Sequence, residues 1–388
     1  MKILKVGDCF DFIRNGKSIQ QNGTHGYPIT RIETIANGVI GLQTVGYSDI
    51  TSLDGYEEYL LKYNDILMSH INSEKHLGKV AIFNDSIDVI HGMNLLCMRV
   101  NESIVDGKYA YYYFKSNHFR MQLLNITKKS VNQASFNITS LKQLDFIHYP
   151  IETQKKIVEV LDKAQALIDA RKEQIRLMDE LIQAQFIEMF GDPVTNPKGW
   201  KIKKLVEIGS LERGKSKHRP RNAPELLCGK YPLVQTGDIA NAGLYIHNYS
   251  QTYSELGLQQ SKMWNKGTLC ITIAANIAKT SILGFDSCFP DSIVAFIPNS
   301  NVESMYVQIW FRFLQKIIEN NAPESAQKNI NLKILRDLDI PLPDIYIQKK
   351  FCKVIDMIEV ERKRLNTSLT ELENIYNSIM KKSFGNIL

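Results

Sequence analysis

Cysteine is scarce in this chain and poorly placed for cross-linking. Six cysteines (Cys9, Cys97, Cys228, Cys270, Cys288 and Cys352) are scattered over 388 residues, with no Cys-x-x-Cys pair. That argues against a disulfide framework or a zinc site, and for reduced thiols. Long apolar runs are also missing, so no segment reaches the roughly 20 residues of a membrane span. The opening stretch is no signal peptide, because Asp8 and Asp11 interrupt it. A cytoplasmic protein without membrane contact is the expectation, in which the Asn22 to Thr24 triplet carries no glycan. A dominant charge sign is lacking too. The 47 basic and 41 acidic residues leave a net +6, compatible with nucleic acid without requiring it. Hydrophobic content of 44% and this length suit two or three ordinary globular domains.

What the chain does have is a repeat. Thr153 to Asp192 aligns with Ile347 to Asn386 at one constant offset. Gln154-Lys155-Lys156 falls on Gln348-Lys349-Lys350, and Phe190-Gly191 on Phe384-Gly385. The repeat extends into the flanking halves. Lys2-Ile3-Leu4-Lys5 matches Lys201-Ile202-Lys203-Lys204, Gly16-Lys17-Ser18 matches Gly214-Lys215-Ser216, and Tyr27-Pro28-Ile29 matches Tyr231-Pro232-Leu233. Asn137 to Leu141 and Asn331 to Leu335 each precede an aspartate, Asp145 and Asp339. Residues between these landmarks have diverged. A duplicated half suggests two similar surfaces offered to one two-part partner.

Within each half, short β-type runs such as Val39–Leu42 and Lys79–Phe83 alternate with turns. Helices are expected over 109–125 and 304–320. The repeated segments read differently. An alternating four-and-three step from Ile157 meets Leu161, Ile168, Ile175, Met178 and Ile182, broken at Arg171 and Gln185. From Phe351 it meets Ile355, Ile358, Leu365, Leu369, Leu372 and Ile379, broken at Arg362. This is a coiled-coil seam, on helices about 50–55 Å long. Pairing one helix against the other is the simplest packing, and spacing alone permits either orientation.

These pieces together resemble the specificity subunit of a type I restriction-modification system. The resemblance rests on the Gln-Lys-Lys helix starts, Phe186 to Asp192, Pro193, Asn196-Pro197-Lys198-Gly199-Trp200, Tyr231 to Ile239, and Ser325 to Ile330. No single piece is strong; the ordered set covers essentially the whole chain. The first half departs from it at His148 to Ile151 and at Ser130 to Gln133. The resemblance implies an α+β chain with two target recognition domains related by a pseudo-two-fold axis. Two long helices forming an antiparallel coiled coil would separate them. The expected segments are 1–150 and 195–343 for the recognition domains, and 151–194 and 344–388 for the helices. It also implies double-stranded DNA with a bipartite target, two methyltransferase subunits and nuclease-translocase subunits as partners. S-adenosylmethionine, ATP and Mg²⁺ would act in those partners, with no cofactor in this chain.

Catalytic signatures are absent from the sequence. A methyltransferase acting on a flipped adenine needs a Gly-rich cofactor loop and an Asn/Asp-Pro-Pro-Tyr/Phe motif. The only Asn-Pro here, Asn196-Pro197, continues into Lys198-Gly199. No carboxylate cluster suits a Mg²⁺-dependent nuclease, and His70 and His76 lack metal-ligand spacing. Gly209 to Ser216 fits G-x-x-x-x-G-K-[ST] literally. That loop requires a helix starting at its lysine, yet Pro220 and Pro224 follow without apolar periodicity. The same stretch has a better use. Arg213, Lys215, Lys217, Arg219 and Arg221 form a basic loop able to follow phosphates or to read guanine.

Phosphate contacts set register, and Arg, Lys, Asn and Gln read base edges. Candidates in the first half are Thr30, Arg31, Lys75, Lys79, Lys128, Lys129, Asn132 and Gln133. In the second they are the five cations from Arg213 to Arg221 with Gln235, Thr236, Lys279, Gln327 and Lys328. Each taken singly also reads as a plain surface polar group. Half-sites should lie about 10 bp apart, centre to centre. Over 152–190, six basic and eight acidic residues leave a net −2, which suits protein docking better than DNA tracking. Competing readings are a coiled-coil scaffold without DNA specificity and a nucleotide enzyme using Gly209 to Ser216.

Overall fold

The computed structural model describes residues 1–36, 38–131, 133–274, 278–321 and 331–385, the side chains of 315–321 excepted. The chain divides into two compact units, one of residues 1–172 with 367–388 and one of residues 173–366.

Each unit starts from the same paired strands. Lys2–Lys5 runs antiparallel to Asp145–His148, and Lys201–Lys204 to Asp339–Leu342. In both registers a lysine faces an aspartate, and the side chains meet at 2.7 Å, Lys5 to Asp145 and Lys204 to Asp339. The helix leading into each aspartate is capped by an asparagine. Asn137 Oδ1 accepts from Ser140 N–H, and Asn331 Oδ1 from Lys333 and Ile334 N–H. Such caps satisfy donors that the first helical turn leaves free.

The main sheets also correspond. In the first unit the order is Phe10–Asn15, Leu96–Val100, Ile66–Met68, Val80–Ile82. The second has Gly209–Arg213, Ile293–Pro298, Leu269–Thr272, Thr280–Leu283, extended by Tyr245–Ile246. All pairs are antiparallel except the last. Val39–Leu42 is not a strand. Gly38 takes φ +76 there, and a 3-10 turn follows at Leu42–Thr44. The helix expected over 109–125 is two helices, Gly107–Lys115 and Asn117–Ile126. Ser116 turns extended between them and caps the second, accepting from Phe119 N–H. Its counterpart in the second unit, Ser304–Asn321, is continuous.

The two long helices are Ile151–Phe190 and Ile345–Phe384, 40 residues each, or about 60 Å. They start earlier than the apolar step suggests, because each opens directly after the strand that pairs with the start of its half. Gln154 and Gln348 explain the repeated motif. Both are fully buried. The Gln154 amide accepts from Asp106 N–H (2.9 Å) and donates to the carbonyls of Ile104 (3.0 Å) and Tyr149 (2.7 Å). Gln348 does the same with Glu303 N–H, Asn301 and Pro343. Each glutamine thus ties a long helix to the start of the shorter helix packed on it.

Inside the first unit, the start of the central helix packs on the end of the distal one. Val158 and Leu161 share a core with Met380 and Phe384, with Ile157, Tyr376 and Ile379 half-buried against it. Inside the second unit, Ile182, Phe186 and Phe190 share a core with Phe351, Ile355 and Ile358, with Met178 at its margin. Start meets end in both, so the pairing is antiparallel. Of the other seam positions, Ile168 is buried, while Ile175, Leu365, Leu369 and Leu372 are half-buried. Val158, Phe186, Phe190, Met380 and Phe384 lie beside the four-and-three step. There the helices bury a wider stripe, because each also packs against a globular unit.

Arg362, which interrupts the seam, is only 17% exposed and reaches Asp179 at 3.0 Å. Arg312 approaches the same carboxylate at 3.4 Å. Burial raises the Glu359 carboxyl pKa there, with Arg362 opposing the shift. In the first unit the polar tie is Lys108 to Asp162 at 2.7 Å, with Tyr112 Oη donating to the same aspartate.

Candidate nucleic-acid interface

In the first unit, several of the basic candidates come together on one small sheet and its turn. Strand Ile71–Asn72 pairs with Ala134–Ser135, which pairs with Lys128–Lys129. The hairpin turn closes through Ser130 N–H to the Gln133 carbonyl at 2.7 Å. Lys75 lies in the turn that follows Asn72, and Lys79 comes just after it. Lys129 meets Glu74 at 2.7 Å with both side chains exposed, a pair of small energetic weight. Lys128 and Lys75 are exposed. Lys79 donates to the Ala36 carbonyl at 2.8 Å. Beside this sheet lies a cavity of about 440 Å³ bordered by Lys75, Lys79, Lys115 and Arg120 over Leu77, Phe114 and Phe119. Lys115 and Arg120 escaped the sequence reading because helical spacing alone does not say which face meets the turn.

Thr30 and Arg31 stand apart from that sheet. Thr30 is 1% exposed; its hydroxyl lies 3.3 Å from His91 Nδ1 and accepts from Gly92 N–H at 2.9 Å. That hydroxyl is therefore used inside the fold. Arg31 is half-buried, and its Nε lacks a hydrogen-bond partner among the described residues. Burial depresses the His91 pKa to about 4. His70 is also lowered by burial.

In the second unit, the basic loop leaves strand Gly209–Arg213 and continues irregularly, with no helix at Lys215. A P-loop's convergent amides are thus not formed there. The loop is pinned on two sides. Gln260 Oε1 accepts from Lys217 N–H (2.7 Å) and His218 N–H (3.1 Å), and Ser261 donates to the Lys215 carbonyl (2.9 Å). Opposite them stands Asp291. Its carboxylate meets Arg221 at 2.5 Å and Arg219 at 3.4 Å, and its carbonyl accepts from Arg213 Nε. A lone aspartate 70 residues downstream gives no signal in the sequence. Gly214 lets the chain come this close, since a Cβ there would stand 2.3 Å from the Pro290 carbonyl.

Gln235 and Thr236 lie at the start of helix Thr236–Asn241. Gln235 N–H donates to Asp238, and its side chain to Gln251. Lys279 is held by its backbone against Thr272. Asn132, Gln327 and Lys328 lie outside the described residues. Among the described residues no His, Cys, Asp and Glu group could hold a metal ion, and no helix is long and apolar enough to cross a membrane.

Comparison with known proteins follows the same duplication. A family model described as the type I restriction modification DNA specificity domain matches twice, over residues 1–177 and 197–374. The MjaX specificity subunit of Methanocaldococcus jannaschii, assigned to a type I restriction enzyme, is 30% identical over 383 residues, covering 93% of this chain and 88% of that one. The Escherichia coli type I restriction enzyme EcoBI specificity subunit is 20% identical over 298 residues, covering 68% and 62%. Among solved structures, the S subunit of a type I restriction-modification system from M. genitalium has a TM-score of 0.58 at 16% identity, covering 100% of this chain and 96% of that one. A chain from a study of type I system assembly and conformational transition has a TM-score of 0.63 at 15% identity, covering 100% and 98%. The two structural likenesses establish the fold. The chain belongs to the type I restriction modification DNA specificity family and carries the family's domain twice.

Proposed function

We propose that this chain, a DNA sequence-specificity subunit of a type I restriction-modification system, reads a bipartite double-stranded DNA target, one half-site per unit. It would direct adenine methylation and restriction by partner subunits, working in the cytoplasm. The observation that carries this reading is a single scaffold built twice with unlike basic surfaces. The first unit offers the turn and hairpin with Lys75, Lys79, Lys128 and Lys129; the second offers the loop from Arg213 to Arg221. A common frame with divergent cations is what two different half-sites call for.

Methyltransferase subunits would dock on the long helices. Val160, Leu167, Leu177 and Leu181 on the central helix, and Met357, Val360 and Ile375 on the distal one, are each at least 42% exposed. Their apolar area and the net −2 of the central helix favour a protein partner over a phosphate backbone. Nuclease-translocase subunits would join that core. S-adenosylmethionine, ATP and Mg²⁺ then belong to the partners, and this chain contributes recognition only.

The test is co-expression with the adjacent methyltransferase subunit, followed by mapping of N6-methyladenine across the host genome. A two-part motif with a fixed gap, present only when both chains are present, is expected. An intact complex that leaves no motif would favour a coiled-coil scaffold without DNA specificity.

A further inference from the structure

The loop from Arg213 to Arg221 has five cations, but the structure does not leave them equivalent. Arg219 and Arg221 both close on the Asp291 carboxylate, at 3.4 and 2.5 Å, and Arg213 on its carbonyl. Lys215 and Lys217 are exposed on either side of buried Ser216. Their backbones are fastened by Ser261 and Gln260, which leaves the ammonium groups free to meet an anion. The loop therefore presents two lysines and engages its three arginines, two at the Asp291 carboxylate and one at its carbonyl.

This partition matters for DNA. Every cation that meets a phosphate adds affinity regardless of sequence, and steepens the salt dependence by about 0.9 per contact. Unrestrained cations beside a reading surface therefore tighten binding to right and wrong sites alike and carry no sequence information. A carboxylate that two arginines share keeps both turned to it and so limits that term.

We infer that Asp291 is a positioning residue of the second unit: it holds Arg219 and Arg221 at its carboxylate, and so leaves Lys215 and Lys217 as the loop's phosphate contacts. The inference rests on the DNA-reading function proposed above. It adds that the second half-site is protected from non-specific affinity by an anion that never touches DNA.

The experiment uses the full chain assembled with its methyltransferase subunits, and the target found by methylation mapping. Binding is measured against salt on the intact target and on targets with either half-site scrambled. Asp291→Asn should steepen the log K against log salt slope by up to about 1.8, the two released arginines at 0.9 each. It should tighten binding to intact and scrambled targets alike, leaving discrimination at both half-sites close to wild type. Adding Arg219→Gln and Arg221→Gln to that variant should return the slope to wild type. Lys215→Gln with Lys217→Gln should make the slope shallower by about 1.8. An unchanged or shallower slope for Asp291→Asn overturns the inference. Should Asp291→Asn fail to assemble, Arg219→Gln with Arg221→Gln decides alone. A near-wild-type slope supports arginines held away from the phosphates, and a drop of about 1.8 overturns it. Wild-type complex that discriminates neither half-site would instead count against the DNA-reading function itself.

Discussion

Gln154 and Gln348 are buried amides that each answer a backbone N–H and two carbonyls, although the Ile104 carbonyl also lies 3.2 Å from His148 Nε2. An unsatisfied buried polar group costs about 1–3 kcal/mol. Gln154→Leu and Gln348→Leu should therefore each lower the urea midpoint of their own unit by a similar amount. A neutral result would mean that water replaces the lost bonds. His91 sets a pH dependence. It titrates near its ordinary 6.5 when unfolded, but burial holds it at about 4 when folded. The unfolded state thus binds more protons in that window, and stability falls as pH drops from about 6.5 to 4, by on the order of 3 kcal/mol. His70, shifted the same way by burial, acts in the same direction. Urea unfolding at pH 7 and pH 5 should show a smaller acid loss for His91→Asn than for wild type. The Gln-Lys-Lys motif was visible in the sequence, but its role was not, because a glutamine's partners lie about 50 residues away in the chain.

At the scale of elements, each helix supplies an aromatic plug at its far end. Phe190 packs on Tyr306 (4.9 Å) and Phe351 (5.2 Å), and Phe384 on Tyr109 (5.4 Å). Phe190 closes the first repeat in the chain yet completes the core of the second unit. Phe384 does the converse. Each truncation to alanine should cost about 3–5 kcal/mol. Hydrogen exchange should then rise in strands Lys201–Lys204 and Ile293–Pro298 for Phe190→Ala, and in Lys2–Lys5 and Leu96–Val100 for Phe384→Ala. Exchange that rises instead in the first unit for Phe190→Ala, or in the second for Phe384→Ala, would refute this crossed assignment. The exposed apolar face has a different consequence. Leu167→Glu with Leu181→Glu should leave the melting temperature close to wild type, since both side chains are exposed, but should prevent co-purification of the methyltransferase subunit. The periodicity revealed which face of each helix is apolar. The stripe's widening at Val158, Phe186 and Met380 was hidden, because those residues answer to the globular units as well as to the partner helix.

For the whole molecule, the proposed role makes the paired helices a ruler between half-sites. Inserting one heptad in the central helix alone, after Lys172, should disrupt the pairing or change the gap in the methylated motif. An unchanged motif would remove the ruler from the proposal. Duplication, two long helices and an α+β frame were all legible in the chain, because repeats and heptads are local patterns that survive divergence. Equivalent hydrogen bonds at Gln154 and Gln348, and equivalent ion pairs at Lys5 and Lys204, are the physical content of that repeat. Tertiary structure alone decided that Thr30 is an interior hydroxyl, that Ser116 breaks one helix where its counterpart runs on, and that Asp291 holds two arginines of the basic loop. Charge and spacing along a chain specify what a residue can do. Which residues meet depends on contacts between distant segments, and only the packed fold supplies those.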